Sequence, residues 1–140
     1  MQIELTIPAP IMQPVRNRKT GKLKTRSPLL NSNDRDHWRV TSPIVKAWRA
    51  NAEAAALATK LPKGLAKIRI DGQVIKPRAG KYDAMNFYPT AKAIVDGLVT
   101  YGLVADDSNE YVQGPFLTEG GKGEYALTLT ITPLEPGERT

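Results

Sequence analysis

Residues 89–102, PTAKAIVDGLVTYG, decide the fold. A proline opens the segment, where its missing N–H is harmless, and Ala91, Ile94, Val95, Leu98 and Val99 recur at helical spacing. Gly102 follows the last periodic residue, so the stretch predicts a helix from Pro89 to Tyr101. Before it, residues 66–76 (AKIRIDGQVIK) alternate through Ile68, Ile70, Val74 and Ile75, with Asp71-Gly72 as a turn or bulge. After it, Tyr111–Leu117 and Tyr125–Ile131 read as strands around a Gly-rich turn, Gly120–Gly123.

Further out, residues 2–7 (QIELTI) alternate as a half-buried strand closed by Pro8, Pro10 and Pro14. Thr41-Ser42-Pro43 predicts a helix start, with the helix running from about Pro43 to Lys60 and stopping at Leu61-Pro62-Lys63-Gly64. Its expected buried stripe is Ile44, Ala47, Trp48, Leu57 and Leu61. Residues 15–28 form a basic loop or hairpin, and 133–140 a flexible tail. These parts predict a single α+β domain over residues 1–140, a small mixed β-sheet with two main helices packed on one face.

The 140 residues include no cysteine and one histidine, His37. That excludes a disulfide scaffold, a thiolate zinc site and a cysteine nucleophile, and disfavours a multi-histidine metal site or a Ser-His-Asp triad. Chemistry then falls to carboxylates, lysines and hydroxyls. The net charge of +6 hides an uneven split. Residues 1–80 hold 16 Lys or Arg against 5 Asp or Glu, a net of +11, and residues 81–140 hold 4 against 9, a net of −5. A basic half suits a polyanionic partner, and an acidic half beside it repels that partner unless its carboxylates carry metal ions. The opening MQIELTIPAPIM lacks a basic and then apolar leader, and the longest apolar stretches, such as Ala54–Ala58, fall far short of a membrane span. A soluble, cytoplasmic protein is expected.

The densest chemistry lies in Asp83, Asn86, Lys92, Asp96, Asp106 and Asp107. Lys92 and Asp96 share a helix face, Asp83 and Asn86 precede the helix, and a chain reversal returns Asp106-Asp107 towards the same edge. Carboxylate oxygens suit Mg²⁺, which polarises a phosphodiester and lowers the pKa of an attacking water. Each piece has a plainer reading: a surface ion pair for Lys92–Asp96, a helix cap for Asp83 or Asn86, and turn chemistry for Asp106-Asp107-Ser108-Asn109.

The stretch DAMNFYPTAKAIVDGLVTYGLVADDSNEYV, Asp83 to Val112, resembles the RusA family of Holliday-junction resolvases, small Mg²⁺-dependent endonucleases, many of them phage-borne. Lys92, Asp96-Gly97-Leu98 and Asp106-Asp107 match the family pattern in residue type and spacing. The segment LLNSNDRDHWRV, Leu29–Val40, resembles its Asn-rich stretch, and GKGEYALTLTIT its terminal strand. Two departures stand out. The family's Asp-x-Asp-Asn reads Asp83-Ala84-Met85-Asn86 here, and three residues are added before the lysine.

The resemblance implies an endodeoxyribonuclease that resolves Holliday junctions by paired symmetric nicks, as a homodimer, in a bacterial or phage-infected cell. The implied cofactor is Mg²⁺, with Mn²⁺ as an alternative, and no small-molecule cofactor or membrane partner is expected. Asp83, Lys92 and Asp107 take the catalytic roles; Asp83 and Asp107 hold metal, Asp106 is a further ligand or accepts from the ion's shell, Asn86 or water completes that shell, and Asp96 either orients Lys92 or binds metal. The basic half then grips DNA phosphates through Arg16, Arg18, Lys19, Lys22, Lys24 and Arg26, joined by Asn33, Arg35 and Arg39 nearer the cut. His37 is read as a packed or capping residue, and Trp38 and Trp48 as core. The alternative is a branched-DNA-binding protein of the same fold with weak or no catalysis. With 6% aromatic residues, a base-stacking RNA-binding sheet is disfavoured.

Overall fold

Strand alternation in the first and last apolar segments brings them together. In the computed structural model, which describes residues 1–78 and 80–136, β1 (Ile3–Pro8) runs antiparallel to β6 (Ala126–Leu134). β6 in turn pairs antiparallel with β4 (Lys67–Lys76), and β4 pairs in parallel with β5 (Val112–Lys122). The sheet order is therefore β1-β6-β4-β5, with β4 separating the last two strands of the chain. A small hairpin, β2 (Val15–Arg16) and β3 (Leu23–Lys24), stands apart from this sheet.

The period of two sorts the sheet into a dry and a wet face. Leu5, Ile7, Leu127, Leu129, Ile131, Ile68, Ile70, Val74 and Leu117 are buried on one side. The register Thr6–Thr128–Gln73–Thr118 lies on the other, where each residue keeps some exposure. Two helices cover the dry face, α1 (Trp38–Ala58) against β1 and α2 (Tyr88–Tyr101) against β5. The arrangement is α+β, a mixed four-stranded sheet with two helices. Among the described residues, no helix is long and apolar enough to cross a membrane.

The helices meet along small residues. Ala52 and Ala56 lie on the buried line of α1, and Gly97 faces them from α2. A Cβ at Gly97 would stand 2.3 Å from the Arg49 carbonyl oxygen and 2.9 Å from the Ala52 Cβ, so only hydrogen fits there. This contact replaces part of the expected stripe: Leu57 is exposed and Ala52 and Ala56 are buried. α2 stops where glycine was expected to stop it, with Gly102 at φ 105 and its N–H bonded to Leu98 and Val99.

Three further expectations need correction. α1 begins at Trp38, five residues before Pro43, because the His37 imidazole caps it: Nδ1 accepts the Arg39 N–H at 3.1 Å. Pro43 sits inside the helix, near enough to its start to cost one hydrogen bond. Trp48 is fully buried and its Nε1–H donates to the Pro28 carbonyl at 2.8 Å, but Trp38 is exposed rather than core, since it lies on the first turn outside the sheet's cover. Asp71-Gly72 makes no turn: β4 is unbroken. The irregularity lies opposite it, where Gly114 and Pro115 of β5 face the single residue Ile70.

The strand ends also move. Pairing with β4 carries β5 through Gly120 and Gly121 to Lys122, so the Gly-rich turn shortens to residues 123–125. Pro133 and Leu134 belong to β6, and residues 137–140 of the expected tail lie outside the described residues.

Candidate active site

The segment 103–111 folds back beside α2 and delivers Asp107 to the helix face that carries Lys92 and Asp96. Lys92 and Asp96 are four residues apart, and Lys92 Nζ donates to Asp96 Oδ1 at 2.7 Å. The same ammonium donates to Asp107 Oδ2, so one lysine bridges two carboxylates from separate elements. All three side chains are half-buried. Desolvation pulls the Lys92 pKa down, but hydrogen bonds to Asp107 and Asp96 and their charges outweigh it, leaving it raised. The hydrogen bond from Lys92, and then its charge, hold the Asp107 carboxyl below its ordinary value, with a smaller contribution from a hydrogen bond to Asp106.

Asp83 and Asn86 stand in a different local structure. Asp83 caps the 3₁₀ turn Ala84–Phe87, its Oδ1 accepting the Met85 N–H at 3.0 Å, and it is exposed. The Asn86 carbonyl accepts the Ser32 N–H at 2.7 Å. Met85 does not point a spare valence at the acidic cluster: its Sδ accepts the Leu117 N–H at 3.3 Å, on the edge of β5. The structure thus brings together Lys92, Asp96, Asp107 and Asp106, and gives Asp83 and Asn86 backbone-capping and docking contacts.

Among the described residues, no three His, Asp or Glu side chains converge closely enough to form a ready metal cage. The donor chemistry nonetheless suits a hard cation, because Asp106 is exposed and Asp107 has a second oxygen beyond the one that holds Lys92. Asp106 and Asp107 are the residues that would hold the ion, with Asp96 beside them.

Between the 3₁₀ turn and the acidic loop lies a cleft of about 920 Å³ along the edge of β5. Met85 lines one side and Asn109 and Glu110 the other, with Lys67 and Phe116 from the sheet. Sequence reasoning did not find this cleft, since its walls come from three separate segments, at Lys67, at Met85 and from Asn109 to Phe116. The only local hint is Gly114-Pro115, a pair that breaks strand regularity.

The basic residues divide into two groups. Arg16, Arg18, Lys19, Lys22 and Lys24 are exposed on the β2–β3 hairpin, which Asn17 ties by accepting the Lys19 and Thr20 N–H groups. Asn33, Arg35 and Arg39 are exposed as well, and the Arg39 guanidinium lies 5.6 Å from the Trp38 ring. Arg26 differs. It is paired with Asp34 at 2.7 Å and Asp36 at 2.8 Å, which makes it a staple for the Asn-rich segment. That segment is fixed to α2 by Thr90, whose buried hydroxyl accepts the Leu30 N–H at 2.7 Å and donates to the Leu30 carbonyl at 2.9 Å.

No family model matches the chain, and no curated protein matches it significantly in sequence.

Proposed function

We propose that the protein is a Mg²⁺-dependent, structure-selective endodeoxyribonuclease that resolves four-way DNA junctions by paired nicks, working as a homodimer in the cytoplasm of a bacterial or phage-infected cell. One observation carries this reading: Lys92 sits between Asp96 and Asp107, with Asp106 adjacent, where the chain reversal after α2 meets the helix. The resemblance of residues 83–112 to the RusA family supports it, as does the exposed basic hairpin.

Asp106 and Asp107 would hold Mg²⁺, with Asp83 as the further ligand that the resemblance implies, and Mn²⁺ has the same oxygen-ligand preference. When bound, the ion supplies charge at the scissile phosphate and acidifies water. Lys92 neutralises negative charge as it builds on the phosphate during in-line attack. Asp96 keeps the ammonium aimed and charged. The hairpin cations Arg16, Arg18, Lys19, Lys22 and Lys24 hold backbone phosphates without reading bases. A four-way junction has near-twofold symmetry, so paired cuts call for two sites of matching symmetry.

Incubation with a mobile synthetic four-way junction tests this reading. Wild type nicks opposing strands in Mg²⁺, and Asp107→Asn retards the junction without cutting it. Wild-type rates from Asp107→Asn would overturn the assignment. Met85 favours a second reading, a branched-DNA-binding protein without catalysis, because a thioether engaged on Leu117 N–H stands where the family carries a carboxylate. That reading gives retarded, intact junctions in both Mg²⁺ and Mn²⁺.

A further inference from the structure

The first residue of β4 is a lysine with little of its surface in water. Lys67 is 8% exposed, and among the described residues its ammonium has no hydrogen-bond or ion-pair partner. Solvent still reaches the ammonium, so an anion entering from outside can meet it and form a charge-assisted hydrogen bond. Its one outlet is the cleft along β5, where Lys67 is joined by Met85, Asn109, Glu110, Gln113 and Phe116.

The remaining walls narrow the choice of anion. Met85 and Phe116 are 44% and 41% exposed, two apolar surfaces left open on the cleft that Lys67 also lines. The Phe116 ring is held flat by the Arg69 guanidinium 4.7 Å from its centre. The bulge at Gly114–Pro115 turns this edge of the sheet outward between Gln113 and Phe116. Asn109 and Gln113 add amide edges, and Glu110 is the one opposing charge. A cation, a rigid ring and amides together fit a phosphate joined to a planar base. The volume of about 920 Å³ accommodates one nucleotide. A base still stacked in duplex has both faces covered by its neighbours and offers none to that ring.

We propose that this cleft seats one unpaired nucleotide of the DNA strand, its phosphate on Lys67 and its base against Phe116 and Met85. The 3₁₀ turn after Asp83 and the loop after Asp107 form its two sides, so the seated nucleotide lies next to the acidic cluster. Lys67 and Phe116 are positioning residues, and the inference rests on the nuclease reading for its biological meaning. It gives a physical basis for preferring branched DNA, whose exchange points release unpaired bases at least cost.

The test uses a short fluorescein-labelled single-stranded oligonucleotide, read by anisotropy without divalent metal, so it does not depend on cutting. Lys67→Gln is expected to weaken binding about tenfold at low salt and to lower the slope of log K against log salt by about 0.7, one phosphate's share for a single strand. Lys67→Arg restores both. An abasic position in the oligonucleotide weakens wild-type binding about tenfold, and Phe116→Ala erases that difference. Phe116 is exposed, so its variant folds even if Lys67→Gln does not. Unchanged affinity and slope in Lys67→Gln, or an abasic penalty that survives Phe116→Ala, would overturn the proposal. Competition by inorganic phosphate with no abasic penalty would also overturn it, leaving a simple anion site. Junction cleavage by wild type in Mg²⁺ is measured in parallel. Intact junctions with the expected oligonucleotide results defeat the nuclease reading alone.

Discussion

Replacing Lys92 with methionine removes the one cation between Asp96 and Asp107 while keeping the length of the side chain. The two carboxylates then face each other across at most about 6 Å, the span of two hydrogen bonds. Two like charges at that distance repel by about 3 kcal/mol at an effective dielectric of 20. All three side chains are partly in water, so screening lowers the expected loss of stability to about 1 kcal/mol at pH 7. The pH dependence separates charge from packing. Asp107 has a depressed pKa in the native protein, so the stability its pairing contributes is present above the ordinary carboxylate range and is lost as pH falls through the depressed value. Lys92 has a raised pKa, so its contribution persists at alkaline pH until pH passes the raised value, above 10.5. Urea unfolding of wild type and Lys92→Met at pH 7 and again below pH 3 is the assay. The gap between the two proteins narrows in acid, as Asp107 takes up a proton and loses its pairing with Lys92. An equal gap at both pH values would show that lost packing, not charge, separates them. No gap at pH 7 would show that the bridge contributes nothing.

Thr90→Val keeps the shape of a fully buried side chain but strips both partners from Leu30, whose N–H and carbonyl meet the Thr90 hydroxyl. A loss of about 2–4 kcal/mol is expected in urea unfolding, and a loss below about 0.5 kcal/mol would mean water replaces the hydroxyl. Changing Lys19, Lys22 and Lys24 together to Gln leaves the melting temperature unchanged, because all three are exposed. It reduces the salt slope of duplex or junction binding by about 2–3, and an unchanged slope would remove the hairpin from the DNA surface.

The elements with their own punctuation were legible. α2 has a proline at its start and a left-handed glycine at its end, and both strands of the β1–β6 pair alternate cleanly. α1 was misplaced at its start because Thr41 and Ser42 offer a better local cap than His37, yet the chain begins the helix earlier and carries Pro43 within it. Tertiary packing outweighs local preference there. Trp38 was expected in the core on hydrophobicity, but nothing lies above the first turn of α1 to cover it. Helix spacing put Lys92 beside Asp96, and only the fold shows that Asp107 returns to the same ammonium. Arg26 reads as one more cation of a basic run until Asp34 and Asp36 close on it. Lys67 gave no signal at all, since a lysine at the start of a strand normally lies in water.

The proposed activity is a pair of coordinated cuts in branched DNA. A supercoiled plasmid that extrudes a cruciform tests it in a single lane, because paired incision within one binding event converts it directly to linear DNA. With wild type and Mg²⁺, linear product is expected from the earliest times, and none with Asp107→Asn or without metal. Accumulation of nicked circles alone, or a bound but uncut plasmid, would contradict it.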